Sequence, residues 1–210
     1  MDEIRIRGAR THNLKNINIE NLPPEEKPEE RGISYEDMTA LVWEIHDRRT
    51  GEWIIIPAKL RAGEDVIRVS VELDNQVRDH RLRIHFPLPA SADGSEAECA
   101  FGTVRRGLTA EGGPNEFGLP TFSSQRFVTA GGLLVVHDGL PEYEVLDREI
   151  AVTLFRSVGV ISQGPMRMRA LPAGPSTPTP EAQMIGRFRA DLVLHTGGRD
   201  PYAVADDAFT

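Results

Sequence analysis

Residues 125–161, QRFVTAGGLLVVHDGLPEYEVLDREIAVTLFRSVGVI, constrain what this chain can fold into more than any other part of it. Ile150, Val152 and Leu154 alternate with Ala151, Thr153 and Phe155. Residues 133–136 form a short apolar run behind Gly131 and Gly132. Between them His137-Asp138-Gly139-Leu140-Pro141 carries turn residues, and Glu142-Tyr143-Glu144-Val145 follows. β-Branched and aromatic residues in short runs, broken by Gly, Pro and Asp, specify antiparallel strands joined by tight turns.

The rest of the chain fits a sheet built on this stretch. In residues 65–89, Ile67, Val69, Val71 and Leu73 alternate with polar residues, as do Leu82, Ile84 and Phe86. This pattern predicts an antiparallel pair with one buried and one polar face. Glu72–Arg83 and Asp79–Arg81 are its expected cross-strand ion pairs. Residues 34–57 fit a helix through Met38, Leu41, Val42 and Ile45. They equally fit a hairpin turning at Asp47–Gly51, which the strand-rich context favours. Residues 90–122 and 162–179 read as long loops, with a short strand near Phe101–Arg105. Arg187–Leu194 reads as a last strand, and residues 197–210 as a frayed tail.

The expected fold is therefore all-β, a large antiparallel β-sandwich over residues 32–196. Residues 22–31, LPPEEKPEER, are too poor in apolar side chains to order themselves and read as a linker. Residues 1–31 are expected to form a disordered N-terminal arm.

A net charge of −8 and only three lysines, Lys15, Lys27 and Lys59, argue against a nucleic-acid surface. The single cysteine, Cys99, excludes an intrachain disulfide and a Cys-rich zinc site. No apolar run approaches the ~18 residues of a membrane span. A cytoplasmic chain, with no membrane partner, is the expectation.

Two resemblances carry further. Residues 1–21, MDEIRIRGARTHNLKNINIEN, resemble the first residues of the excinuclease DNA-repair ATPases, where they lead into a phosphate-binding loop. No lysine here lies in the Gly-Lys-Ser/Thr setting of such a loop, so no ATPase role is carried over. From about residue 64 onward, six motifs in order resemble the C-terminal β domain of the family 38 glycoside hydrolases, the α-mannosidases. They are VSVELDNQVRDHRLRIHFPLP, FGTVRR, QRFV, GLLVVHDGLPEYEV, IAVTLFRSVGVIS and AGPSTPTPEAQMIG. The resemblance implies a galactose-mutarotase-like supersandwich working beside a catalytic α/β barrel on α-mannoside carbohydrate.

In that family the barrel supplies an aspartate nucleophile. It also holds zinc or another divalent metal through a His-x-Asp pair, the nucleophile and a further histidine. None of the six histidines here has Asp two residues on. The resemblance thus implies an accessory domain of an α-mannosidase, with no catalytic residue, metal ligand or cofactor of its own and no activity alone. The metal is expected in a catalytic domain that this sequence lacks. A stand-alone carbohydrate-binding or structural β-sandwich is the alternative, weakened by an aromatic content of 6%.

Glu142 and Glu144 share a strand face about 6.6 Å apart by strand rise. That spacing on one strand does not flank a sugar from both sides, so solvated or ion-paired glutamates are the expectation. Arg126 or Arg156 are the expected partners. His137 beside Asp138 reads as turn chemistry. Because the family's β domain walls the sugar cleft, the resemblance makes Arg126, Asp138, Glu142 and Tyr143 the expected substrate-side residues.

Overall fold

The structure of the chain is a computed structural model. It describes residues 63–163, 166 and 169–209, and the strands β1 (Ile6–Arg7), β2 (Asn18–Ile19), β3 (Arg31–Tyr35), β4 (Met38–Asp47) and β5 (Glu52–Arg61). Apart from those short strands, the expected disordered arm of residues 1–31, with its linker and the excinuclease-like opening, lies outside the described residues.

β4 and β5 pair antiparallel from Met38↔Arg61 to Asp47↔Glu52, so the hairpin reading of this segment holds over the helical one. Then follow β6 (Ile67–Asn75), β7 (Arg81–Pro87), β8 (Ser95–Cys99), β9 (Gly102–Arg106), β10 (Thr121–Ser123), β11 (Phe127–Ala130), β12 (Leu133–His137), β13 (Glu142–Leu146), β14 (Glu149–Arg156) and β15 (Gly186–His195). Beyond the small β1–β2 pair they form two antiparallel sheets. The large one runs β3-β4-β5-β6-β15-β12-β11-β8-β9, the small one β10-β13-β14-β7. This is the expected all-β sandwich.

The two sheets face each other across one core. Val69, Val71 and Leu73 of β6, Val135 of β12 and Leu192 of β15 meet Leu82, Ile84 and Phe86 of β7 and Ile150 and Val152 of β14. Period-2 alternation explains each of these faces. The strand pairing departs from the sequence reading in one respect. β6 and β7 are not partners: β6 pairs with β5 and β15, whereas β7 pairs with β14 in the other sheet. Both strands carry one apolar face, and opposite sheets let those faces bury each other. The expected Glu72–Arg83 pair is therefore not formed. Glu72 binds Arg189 at 2.9 Å and Arg83 lies 2.8 Å from Glu144. Asp79 likewise accepts from Gln183 Nε2 at 2.8 Å rather than pairing with Arg81.

The central stretch is split in the same way. β11 and β12 form a hairpin of the large sheet whose turn is Gly131-Gly132, at φ +52° and +85°. A Cβ on Gly131 would lie 2.2 Å from the Ala90 carbonyl oxygen, so that position requires glycine. β13 and β14 form a hairpin of the small sheet turning through Asp147, at φ +50°. Residues 138–141 are the crossover between sheets rather than a hairpin turn.

Residues 197–210, expected to fray, instead carry helix α1 (Pro201–Asp207). Asp200 caps it by accepting from the Tyr202 N–H, and Pro201 pre-sets its first turn. Val204, Ala205 and Ala208 pack on Phe127, Leu134, Val136 and Val193, the outward residues of the large sheet. The unbroken apolar run of β12 follows from this, because both of its faces are covered. The region expected to be mostly loop, 90–122, contains the β8–β9 hairpin and β10. Among the described residues no helix is long and apolar enough to cross a membrane.

Candidate functional site

The outer face of the small sheet carries a layer of charged side chains that pair with one another. Along β7, Arg81, Arg83 and His85 point away from the core. Along β13, Glu142 and Glu144 do so, with Thr153 of β14 between them. The registers Thr153↔Arg83 and Glu144↔Ala151↔His85 set these side chains beside one another. Arg83 reaches Glu144 past the small Ala151. His85 Nδ1 lies 3.0 Å from Glu149. Glu142 accepts from Thr153 Oγ1 at 2.6 Å, from Arg156 at 2.9 Å and from Arg81 at 3.3 Å.

Arg83, His85, Glu144 and Thr153 are buried, whereas Arg156 at the end of β14 stays exposed. Burial makes this layer expensive to disrupt and fixes Glu142 at its half-open end. The ion-paired reading of Glu142 and Glu144 thus holds, with Arg156 one of the expected partners.

The four residues expected on the substrate side do not form one site. Tyr143 points the opposite way from Glu142, into the core, at 1% exposure. Its hydroxyl bonds Ser95 Oγ at 2.8 Å and ties β8 to β13 across the sandwich. Burial pushes the phenol above its ordinary pKa. Arg126 makes a two-pronged contact with Glu98, at 2.8 and 2.7 Å, and a third bond to Asp206 of α1 at 2.7 Å. Those hydrogen bonds, with Glu98 foremost, hold the guanidinium well above its usual range. Asp138 lies exposed in the crossover.

A residue read as turn chemistry is part of this region's scaffold. His137 ends β12 at 1% exposure, and its Nε2 sits 2.8 Å from Ser124 Oγ. Its Nδ1 has no hydrogen-bond partner among the described residues. Burial lowers its pKa to about 4. The bond spans the start of the crossover: Ser124 N–H donates to the Pro141 carbonyl, and His137 N–H to that of Arg126. Sequence alone shows a His-Asp-Gly turn. The signal it hides is that the apolar run of β12 continues through His137.

Other groups fit binding roles poorly. Among the described residues no three His, Cys, Asp or Glu side chains are placed to hold a metal ion. Cys99 is half-buried and accepts from Arg106 at 3.3 Å. A cavity of ≈ 290 Å³ lies behind the large sheet, lined by Glu64, Asp65, Arg68, Arg199 and Asp207 among others. Arg199 bonds Asp65 at 3.0 Å and Asp207 at 2.7 Å, so its charges are matched internally.

Comparison with known proteins places this architecture. No family model matches the chain. A protein of Halalkalibacterium halodurans described as a "Putative mannosylglycerate hydrolase" is 31% identical over 172 residues, which are 76% of this chain and 18% of that protein. An α-mannosidase of Enterococcus faecalis superposes with a TM-score of 0.65 at 20% identity, over 87% of this chain and 24% of the other. A family 38 glycosyl hydrolase from the same organism gives 0.63 at 21% identity, with the same coverage. The chain therefore spans about a fifth to a quarter of the length of the proteins it matches. In motif order, in sequence and in the two-sheet fold, it resembles the C-terminal β domain of the family 38 glycoside hydrolases.

Proposed function

We propose that this chain serves as the accessory β-sandwich of an α-mannoside hydrolase. The barrel that carries the nucleophile and metal would be supplied by another segment or polypeptide. One observation carries the reading: a match over most of this chain falls on only 18% of a hydrolase and 24% of an α-mannosidase. The remaining three quarters or more of those proteins is where the chemistry would reside. The unit doing the bracing would be residues 32–196, with 197–210 as its helical cover. Cytoplasmic placement belongs to the same proposal and rests on the low cysteine content.

Within this reading the expected substrate-side residues take different parts. Glu142 and Asp138, at the open ends of β13 and the crossover, would face the sugar. Tyr143 and Arg126 would set the position of the crossover through Ser95 and Glu98. The parent reaction would be retaining hydrolysis by a carboxylate nucleophile.

The test is to express the tagged chain from its native locus and assay the eluate on an aryl α-mannoside. Activity is expected only where a polypeptide with a family 38 barrel co-purifies, or where a barrel is continuous with this chain. Turnover by the pure 210-residue chain would overturn the accessory reading. The carbohydrate-binding alternative predicts heat on calorimetric titration of the pure chain with millimolar mannose or mannobiose, where the proposal predicts none.

A further inference from the structure

β15 ends at His195, and residues 196–200 then turn to lay helix α1 on the back of the large sheet. That turn closes around the imidazole, which is buried at 4% exposure. His195 Nε2 accepts from the Gly197 N–H at 3.0 Å and from the Arg199 N–H at 3.3 Å. Its Nδ1 lies 2.9 Å from the carbonyl oxygen of Asp65, in the loop before β6. A carbonyl only accepts and an amide N–H only donates. One tautomer therefore satisfies all three bonds, with the proton on Nδ1 and Nε2 bare. A Cβ on Gly197 would lie 2.6 Å from the ring Cε1, so glycine is what lets the backbone close this tightly.

The ring is matched to its surroundings only while it is neutral. A second proton must go on Nε2, where two N–H groups already point at it. Both of those bonds are then lost, and donors face a donor. The other side of the ring responds in the opposite sense. Asp65 Oδ2 lies 3.6 Å from Nδ1 and attracts a charged ring. The same carboxylate holds Arg199 at 3.0 Å, and Arg199 holds Asp207 of α1 at 2.7 Å. An imidazolium therefore stays with Asp65, competes there with Arg199 and lets go of the turn.

We propose that His195 is an acid-released latch. Protonation of its ring frees residues 197–208, so that helix α1 lifts from the large sheet and uncovers Phe127, Leu134, Val136 and Val193. Further polar contacts hold the helix from the neighbouring strands: Arg126 of β11 with Asp206, Arg68 of β6 with the Ala208 carbonyl, and Tyr202 with Thr103 of β9. Glu64 pairs with Arg68, and Glu98 of β8 with Arg126. Arginines keep their charge throughout, and carboxylates as a class titrate below imidazoles. The histidine is thus the group around this helix whose charge changes first on acidification.

The test is amide hydrogen exchange of the full chain at about pH 8 and about pH 5, either side of the imidazole range, with rates corrected for the intrinsic pH dependence of exchange. Residues 197–208 should open roughly tenfold more often at the lower pH, from the loss of two backbone hydrogen bonds, while β12 keeps its protection. His195→Gln retains an acceptor for the turn but takes no proton, and should open equally at both pH values. The same acceleration in His195→Gln overturns the proposal, because the carboxylates would then be responsible. Unchanged exchange in the wild type also overturns it. If the glutamine variant is already open at the higher pH, the ring nitrogen chemical shifts of His195 in the wild type decide. Protonation in step with the opening of residues 197–208 bears the latch out, and protonation with those amides still closed overturns it.

Discussion

Arg83 of β7 lies 2.8 Å from Glu144 of β13, reaching across β14 with 3% and 10% of the two side chains exposed. Two charges this far from water are held by each other and by their neighbours. Removing one leaves the other buried without its counter-charge. Arg83→Met or Glu144→Gln alone should cost about 3–5 kcal/mol, whereas an apolar pair at both positions should cost far less than the sum. Urea denaturation of the two single variants and the double variant measures this directly. Additive single losses would show that the two side chains do not act as a pair.

His137 should make stability pH-dependent. Its pKa falls from 6.5 in the unfolded chain to about 4 in the fold. The unfolded state therefore binds a proton first as pH drops. The contribution is whole above pH 6.5, declines between 6.5 and about 4, and is gone below. At about 1.4 kcal/mol per unit, the loss amounts to roughly 3 kcal/mol. Carboxylates titrate in the same window, so the measurement is the difference in pH slope between the wild type and His137→Asn. Parallel slopes would contradict the assignment.

Tyr143→Phe removes only the bond to Ser95 and should cost about 1 kcal/mol, while Tyr143→Ala should cost about 3–5 kcal/mol by leaving a cavity between the sheets. In an assembled enzyme, Tyr143→Phe should raise KM for an aryl α-mannoside only together with that loss of stability, because the hydroxyl acts through the position of the crossover. A raised KM with unchanged stability would instead place the hydroxyl in contact with sugar.

Helix α1 should behave as part of the sandwich. Val204 is 1% exposed, and Val204→Ala removes two methyl groups at about 0.8 kcal/mol each, a loss near 1.5 kcal/mol. Amide exchange in residues 204–208 should be slowed alongside that of β12. Exchange at the rate of an unstructured peptide would show that the helix does not cover the sheet.

The β14 motif illustrates how far the sequence reaches. Ile150, Val152 and Leu154 announce a strand with one apolar face, and that strand forms with that face in the core. The same alternation in β6 and β7 announces the right strands and the wrong partners. A period of two says which side of a strand seeks burial and is silent on which strand lies alongside. Pattern alone therefore matches Glu72 with Arg83, although the fold gives them Arg189 and Glu144. Residues 201–207 escape a pattern reading because Tyr202, Val204 and Ala205 are too few to announce a buried helix. Their burial depends on the apolar back of β11, β12 and β15.

The candidate site divides in the same way. The sequence by itself determined an all-β chain and its strand-forming segments, because alternation and turn residues act locally. It also determined the absence of a His-x-Asp pair, and a family resemblance carried by six ordered motifs. Only the tertiary structure decided that residues 138–141 cross between sheets, which points Tyr143 inward and leaves Glu142 in an ionic layer. It alone closed the turn before α1 around buried His195. Those outcomes depend on which strands pair across long separations. That choice is settled by the mutual burial of whole sheet faces, and no local pattern encodes it.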